Sequence, residues 1–182
     1  MKSRLHQKYQ KEIIPALQEK FELKNYLAVP KIKSISVNIG INARNSDSSV
    51  ADNAEATLRR ITGQKPIRTK AKQAISAFKV RQGQVVGVKV TLRGERMYDF
   101  IDKLVNVAIP RIRDFRGLLE KNVDKQGNLT LGFKEHIVFP EIKSDEVEKI
   151  LGLEVSVATS AKNHEQGLEL FRLLGFPFQK KS

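Results

Sequence analysis

The sequence predicts an α+β fold, in which a largely antiparallel sheet forms a single domain with helices packed on one of its faces. Segments 31–39 and 84–93 alternate apolar and polar residues, as strands with one buried face do. Other segments repeat apolar residues every three or four positions, which is typical of amphipathic helices. The segments follow one another in mixed order without regular βαβ repetition, and the 182-residue length fits one domain over 1–182.

The N-terminal half begins with a predicted helix over 2–23, which Pro15 should kink. Its apolar stripe recurs every four positions, at Leu5, Tyr9, Ile13, Leu17 and Phe21. The first strand then spans 31–39. A second helix should begin near Asn45 and end at Gly63.

The central part is predicted as a long basic loop over about 65–84, with short strand pieces on either side. The strand over 84–93 follows, and its apolar face carries Val86, Val88, Val90 and Leu92. A helix over 95–109 should end at Pro110.

The C-terminal part alternates predicted loops with short elements. These are a loop over 111–132, a strand over 136–139, a helix from Ser144 to near Gly152, a strand over 153–158, a helix from Asn163 to Gly175 and a frayed tail over 179–182.

Charge is the strongest global signal, because 33 basic and 20 acidic residues give a formal net charge of +13 and a pI near 10.0. Residues 59–96 alone hold eleven basic residues and one acidic residue. That concentration indicates a surface that contacts phosphates, although a basic surface that binds nothing is the alternative. Residues 135–154 are instead acidic. They suit either a basic protein partner or an ordinary charged helix surface.

Composition and motifs argue against an enzyme. The chain has no cysteine, its three histidines are scattered, and we expect neither a metal site nor a cofactor. No phosphate-binding glycine loop or nucleophile elbow occurs. Without a long apolar segment or an apolar leader core, we expect a cytoplasmic protein that does not enter a membrane. A small RNA-modifying or nucleotide-using enzyme and a basic membrane-surface protein are the competing classes, and the N-terminal helix is too acidic for the latter.

RNA is favoured over DNA as the partner, since no helix carries the basic face that reads a major groove. The basic residues lie instead on the polar face of a strand and in the loop. Phe78 in that loop could stack on an exposed base or could anchor the loop in the core. Asn38, Gln64 and Thr91 are uncharged groups beside basic neighbours, which suits contacts with 2′-hydroxyls and base edges.

Several motifs are carried by a known family: ITGQKP at 61–66, TKAK at 69–72, VTLRGERM at 90–97, PRIRDFRG at 110–117, HIVFPEI at 136–142 and LGFPF at 174–178. The chain resembles the bacterial large-subunit ribosomal protein family number five, whose members bind 5S rRNA. The match is collinear over nearly the whole chain.

The resemblance implies a structural role in the central protuberance, with a concave sheet face against 5S rRNA. The implied 5S rRNA contacts are Lys33, Asn38, Gln64, Lys65, Arg68, Lys89, Thr91 and Arg93. The family often has lysine at the position of Ser34, whereas this chain has its lysine one position earlier, at Lys33. Either Lys33 makes the family's phosphate contact from the edge of the strand, or that contact is lost.

The resemblance also implies partners beyond 5S rRNA, namely large-subunit rRNA, P-site tRNA, a small-subunit head protein and other proteins of the central protuberance. The loop implied to reach P-site tRNA carries Lys70, Lys72, Ser76, Phe78, Lys79 and Arg81. Further rRNA contacts are expected at Arg111, Arg113 and Arg116. The intersubunit contact is expected at Glu141, Asp145, Glu146 and Lys149.

Overall fold

The computed structural model describes residues 3–41, 48–142 and 150–179. Its sheet has five strands: β1 (Ile32–Gly40), β2 (Ile67–Lys70), β3 (Val85–Leu92), β4 (Leu129–Phe133) and β5 (Leu153–Thr159). Their order across the sheet is β2-β3-β1-β5-β4, and the sheet is antiparallel. The predicted α+β class is therefore confirmed.

Five α-helices lie in the described ranges: α1 (Arg4–Lys8), α2 (Ile14–Lys20), α3 (Ser48–Thr62), α4 (Glu95–Lys103) and α5 (His164–Leu173). Within those ranges, every helix is too short or too polar to span a bilayer.

The described residues form two compact units, each assembled from separate stretches of the chain. The first unit comprises 3–35, 92–131 and 156–179, and the second comprises 36–41, 48–91, 132–142 and 150–155.

The predicted N-terminal helix is present, with a π-helical turn over Tyr9–Ile13 that joins α1 to α2. Pro15 has no N–H to donate to the preceding turn, and a π-helical turn accommodates such a break in the hydrogen-bond ladder. Of the predicted stripe, Leu5, Tyr9, Ile13 and Leu17 are buried, whereas Phe21 is only half-buried. The helix predicted over 95–109 is likewise α4 followed by a π-helical turn over Leu104–Ala108.

The two strands predicted from alternation are both confirmed. Ile35, Val37 and Ile39 of β1 are fully buried, as are Val88, Val90 and Leu92 of β3. The strand predicted over 153–158 corresponds to β5, and Leu153, Val155 and Val157 are its buried residues. The final helix begins where predicted, since the side chain of Asn163 accepts the N–H of Gln166 at 2.9 Å.

Two predictions in the C-terminal part are wrong. Residues 136–139 form no strand, because His136–Val138 is a 3₁₀ turn in which the Phe139 N–H returns to the His136 carbonyl oxygen. The loop predicted over 111–132 contains the start of β4, whose Leu129, Leu131 and Phe133 are buried in alternation. The helix predicted from Ser144 and the helix start near Asn45 lie outside the described residues, as does most of the tail.

His136 is a buried group, 2% exposed, in the second unit. Leu151 donates its N–H to Nδ1 of His136 at 3.0 Å, and the His136 N–H donates to the Leu151 carbonyl oxygen. Burial lowers the pKa of His136, and its contact with the Leu151 backbone offsets part of that effect.

We expect this histidine to make folding stability depend on pH. The unfolded chain takes up a proton near pH 6.5 while the folded chain resists it, so the free energy of unfolding should decrease as the pH falls below about 6.5. The slope should stay under about 1.4 kcal/mol per pH unit, the limit for one proton. Urea unfolding between pH 5 and 8 would measure it. The His136→Asn variant keeps an acceptor for Leu151 and should lack this component, whereas an identical pH dependence in both proteins would contradict the assignment.

Candidate nucleic-acid interface

A polar face of the sheet is built in the second unit by the pairing of β2 with β3. The antiparallel register sets Ile67 opposite Lys89, Arg68 opposite Val88 and Thr69 opposite Gly87. Directly opposed residues share one face of a sheet, and alternate residues of a strand share it too. Thr69, Gly87, Lys89 and Thr91 therefore lie on one face, and the buried Val88 and Val90 lie on the other.

Asn38 of β1 joins this face beside Gly87. A Cβ atom at Gly87 would lie 2.9 Å from the Ile39 carbonyl oxygen, 3.0 Å from Thr69 Oγ1 and 3.6 Å from Asn38 Oδ1. Only glycine fits there without a shift of the backbone. The missing side chain of Gly87 thus provides the space that the Asn38 amide and the Thr69 hydroxyl occupy.

Gln64 is tied to the same face by one hydrogen bond. Its Nε2 donates to the carbonyl oxygen of Thr91 at 3.1 Å. The chain reaches Gln64 through Gly63, whose φ of 65° ends α3. The structure therefore brings the predicted trio of Asn38, Gln64 and Thr91 to one half-buried surface, which we call the polar face together with Thr69, Gly87 and Lys89.

The predicted basic contacts divide into two groups. Lys33, Lys65, Lys70, Lys89 and Arg93 are all exposed. Arg68 is also exposed but is paired, because its Nε donates to Glu55 Oε2 at 2.9 Å and its Nη2 pairs with Oδ1 of Asp52. These bonds to Glu55 and Asp52 raise the pKa of the Arg68 guanidinium.

Arg68 also lies on the other side of the sheet from Lys89, since it is opposite Val88. It lines a surface cavity of about 340 Å³ together with residues of α3, namely Asp52, Glu55, Ala56, Arg59 and Arg60. The structure thus separates Arg68 from the predicted 5S rRNA contacts with which the sequence grouped it.

The basic loop is a hairpin closed by backbone hydrogen bonds. The Ala71 N–H donates to Gln84 O at 2.8 Å, and the Ile75 N–H donates to Val80 O at 2.9 Å. A 3₁₀ turn over Ser76–Phe78 forms the tip, with Lys79 in the left-handed region at φ 54°. Phe78 is 71% exposed, so the alternative that it anchors the loop in the core is wrong.

The remaining predicted loop residues are exposed along the hairpin: Lys70, Lys72, Ser76, Lys79 and Arg81. The apolar Ile75, 48% exposed, stands beside Phe78 at the tip. Ile75 was not predicted, although its spacing of three residues from Phe78 in a polar loop was a signal. Thr69 and Gly87 were not predicted either, because strand register cannot be read from alternation alone.

The other predicted contacts are only partly described. Arg111, Arg113 and Arg116 are exposed in the first unit, and Glu141 is half-buried in the second. Asp145, Glu146 and Lys149 lie outside the described residues. The described part of the chain contains no group of three or more side chains arranged to hold a metal ion.

Comparison with known proteins decides the family. Residues 25–81 match the family model described as ribosomal protein L5, and residues 85–178 match the model for the C-terminus of the ribosomal L5P family. The chain belongs to the ribosomal protein uL5 family. The large ribosomal subunit protein uL5 of Carboxydothermus hydrogenoformans is 49% identical over 177 residues, which cover 97% of this chain and 99% of that protein. The uL5 protein of Desulforamulus reducens is 49% identical over 180 residues, which cover 99% of both.

Membership of the uL5 family identifies the chain as a structural protein of the large ribosomal subunit. The predicted resemblance is confirmed. The uL5 family is a structural, non-enzymatic one, so the competing enzyme class is excluded, and the ribosome places the protein in the cytoplasm. RNA binding and participation in translation follow from the same membership.

Proposed function

We propose that this uL5 protein attaches 5S rRNA in the central protuberance of the large subunit through its polar face. The hydrogen bond between Gln64 and Thr91 carries this proposal, because it fixes the Gln64 amide at the surface where Asn38 and Thr91 also lie. Amide and hydroxyl groups held at one surface suit 2′-hydroxyls and base edges in the wide minor groove of A-form RNA. Gly87 is buried, because the Thr69 hydroxyl and the Asn38 amide occupy the space where its side chain would lie, so these two polar groups face the RNA in this proposal.

Exposed cations supply the electrostatic part of the binding. Lys33, Lys65, Lys89 and Arg93 contact phosphates in this proposal, and each contact adds to the salt dependence. Arg68 belongs to the proposed set only if its guanidinium leaves Asp52 and Glu55 for a phosphate.

The hairpin over 71–84 provides the contact with P-site tRNA in this proposal. Phe78 and Ile75 present an apolar tip, and lysines and an arginine flank it. An exposed aromatic ring between cations can pack on a nucleotide while the cations meet phosphates. The proposed members are Lys70, Lys72, Ser76, Phe78, Lys79 and Arg81.

Contacts elsewhere on the chain complete the proposed assembly. Arg111, Arg113 and Arg116 bind large-subunit rRNA. The segment with Glu141, Asp145, Glu146 and Lys149 meets a basic protein of the small-subunit head, because an acidic surface avoids phosphates and attracts a cationic partner. Other proteins of the central protuberance are neighbours.

Competition binding tests the 5S rRNA proposal. Labelled 5S rRNA is titrated with the protein at several salt concentrations, with unlabelled unrelated RNA of equal length as competitor. We expect binding that resists the competitor. The logarithm of the binding constant should fall linearly with log[salt], with a slope of about 0.7 to 0.9 per phosphate contact. Equal affinity for both RNAs at every salt concentration would contradict the proposal, because charge alone would then account for binding.

A further inference from the structure

All three tyrosines of the chain, Tyr9, Tyr26 and Tyr98, belong to the first unit. The rings of His6 and Tyr98 stack with centroids 4.5 Å apart and planes 2° apart, and the centroids of Tyr9 and Tyr98 are 6.0 Å apart. Burial raises the pKa of Tyr98 to about 12, and the Glu95 carboxylate and the Tyr26 phenol add to that increase. Residues far apart in sequence thus form one aromatic cluster, with Tyr26 beside it.

Tyr26 lies on a short turn that the cluster holds in place. The side chain of Asn25 accepts the Leu27 N–H at 2.8 Å and caps the 3₁₀ turn over Tyr26–Ala28. Immediately after the turn, Val29 and Pro30 are buried, and the Tyr9 hydroxyl donates to the Pro30 carbonyl oxygen at 2.9 Å. The Asn25 bond therefore closes the turn locally, and the Tyr9 bond anchors the chain that follows it.

The turn presents apolar side chains to solvent. Tyr26 is 54% exposed and Leu27 is 79% exposed, whereas Tyr9 and Tyr98 are each 6% exposed. An apolar residue as exposed as Leu27 adds nothing to a core. A rigid turn that carries an exposed aromatic ring and an exposed aliphatic side chain is suited to contact with a partner.

The rim of the turn is cationic. Lys24 and Lys31 are exposed, and the described part of the chain gives neither of them a carboxylate partner. Two backbone bonds fix the position of Lys31, since its N–H donates to Ser160 Oγ at 2.9 Å and its carbonyl oxygen accepts the Ser160 N–H at 2.8 Å. Lys24 and Lys31 flank Tyr26 in the sequence, and an aromatic ring with cations on either side suits a nucleotide, whose base stacks while its phosphates meet the lysines.

We propose that the turn over residues 25–28 is a further RNA-binding site, at which an unpaired base of ribosomal RNA stacks on Tyr26 and packs against Leu27. RNA is favoured over an apolar protein partner because the turn lies between lysines in a chain of net charge +13. The site rests on the proposed role in RNA attachment but uses residues remote in sequence from the polar face. Its rigidity lowers the entropic cost of binding.

The test uses the full chain with two probes, transcribed 5S rRNA and transcribed large-subunit rRNA. We expect Tyr26→Ala to weaken binding of one of them by about fivefold to a hundredfold, the range for loss of one stacked base. Tyr26→Phe keeps the stacking ring and should stay within about twofold of the wild type, because the ring face rather than the hydroxyl supports the base. Leu119→Ser, at another exposed apolar residue of the first unit, is the matched control and should leave both affinities unchanged.

Tyrosine fluorescence gives a second readout, because the chain contains no tryptophan and its three tyrosines are all in or beside the cluster. RNA that stacks on Tyr26 should quench part of the emission of the wild type, and that part should be missing in Tyr26→Phe although binding persists. Wild-type affinity of Tyr26→Ala for both RNAs would overturn the proposal. The proposal would also be overturned if Tyr26→Ala bound both RNAs like the wild type but was incorporated less into reconstituted large subunits. That result would assign the turn to a protein neighbour.

The test of the stacking site at Tyr26 can fail or succeed independently of the proposed 5S rRNA binding. If the wild type shows no preference for 5S rRNA but Tyr26→Ala still weakens binding to large-subunit rRNA, the proposed 5S rRNA role fails and the stacking site is supported. If 5S rRNA is bound specifically and Tyr26→Ala changes neither affinity, the stacking site alone is overturned.

Discussion

Replacing the polar groups of the trio together, as Asn38→Ala, Gln64→Ala and Thr91→Val, should lower the affinity for 5S rRNA about a hundredfold to a thousandfold. Each lost contact is worth about 1 kcal/mol, and a bound RNA group left without its partner adds to the loss. Affinity for an unrelated RNA should stay within about twofold, because phosphate contacts carry no sequence information. The slope of log K against log[salt] should not change, since the variant removes no charge. Competition binding of the two RNAs over a range of salt would measure all three quantities.

The matched control lies on α3 of the same unit. Asn53→Ala and Thr57→Val together also remove an amide and a hydroxyl. They lie on the helix whose Asp52 and Glu55 hold Arg68, on the other side of the sheet from the polar face. We expect this control to bind both RNAs like the wild type. An equal loss of affinity for both RNAs in the triple variant would contradict a role of the polar face in specificity.

The strands that support the polar face are the most predictable part of the fold. In β1 and β3, the apolar residues of the alternating pattern are buried on one face except for the half-buried Val86, so the period of two in the sequence reflects burial. The trio of Asn38, Gln64 and Thr91 was predicted on other grounds, as uncharged polar residues beside basic neighbours that the family resemblance also implied.

Short segments were less predictable because their patterns fit several structures. Residues 136–139 hold only three apolar residues after His136, and periodicity over so short a segment does not separate a strand from a turn. The hydrogen bond between His136 and Leu151, 15 residues away, is a tertiary contact that the local pattern does not show. The strand β4 was missed because Asn128 and Gly127 precede it and Gly132 interrupts it, which in isolation is typical of a loop.

Contacts set by register or by tertiary packing could not be predicted. Arg68 pairs with Asp52 and Glu55 because the register sets it opposite Val88, and one residue of slip would move it to the polar face. The aromatic cluster of His6, Tyr9 and Tyr98 likewise joins the N-terminal helical segment to α4. A single sequence shows neither arrangement.

Gly167 in α5 faces the backbone of Gly127, and this contact predicts a large effect on stability. A Cβ atom at Gly167 would lie 2.3 Å from Gly127 Cα and 2.5 Å from the Gly127 carbonyl oxygen, closer than non-bonded atoms approach. The loop that carries Gly127 cannot easily retreat. Its carbonyl oxygen accepts the Thr159 hydroxyl at 2.8 Å, and the Asn128 side chain accepts the Thr159 N–H at 2.9 Å.

Gly167→Ala should therefore destabilise the protein by about 1–3 kcal/mol, the usual cost of forcing extra atoms into a packed site. The sign of the change in the free energy of unfolding is informative, because replacing glycine by alanine inside an exposed helix normally increases stability, by as much as about 1 kcal/mol. Urea unfolding of the wild type and the variant would measure the difference. Gly132→Ala in β4 is the matched control, since nothing lies within 4 Å of a Cβ atom there, and it should be neutral or slightly stabilising. If Gly167→Ala were as stable as the wild type, the close approach of α5 to Gly127 would be contradicted.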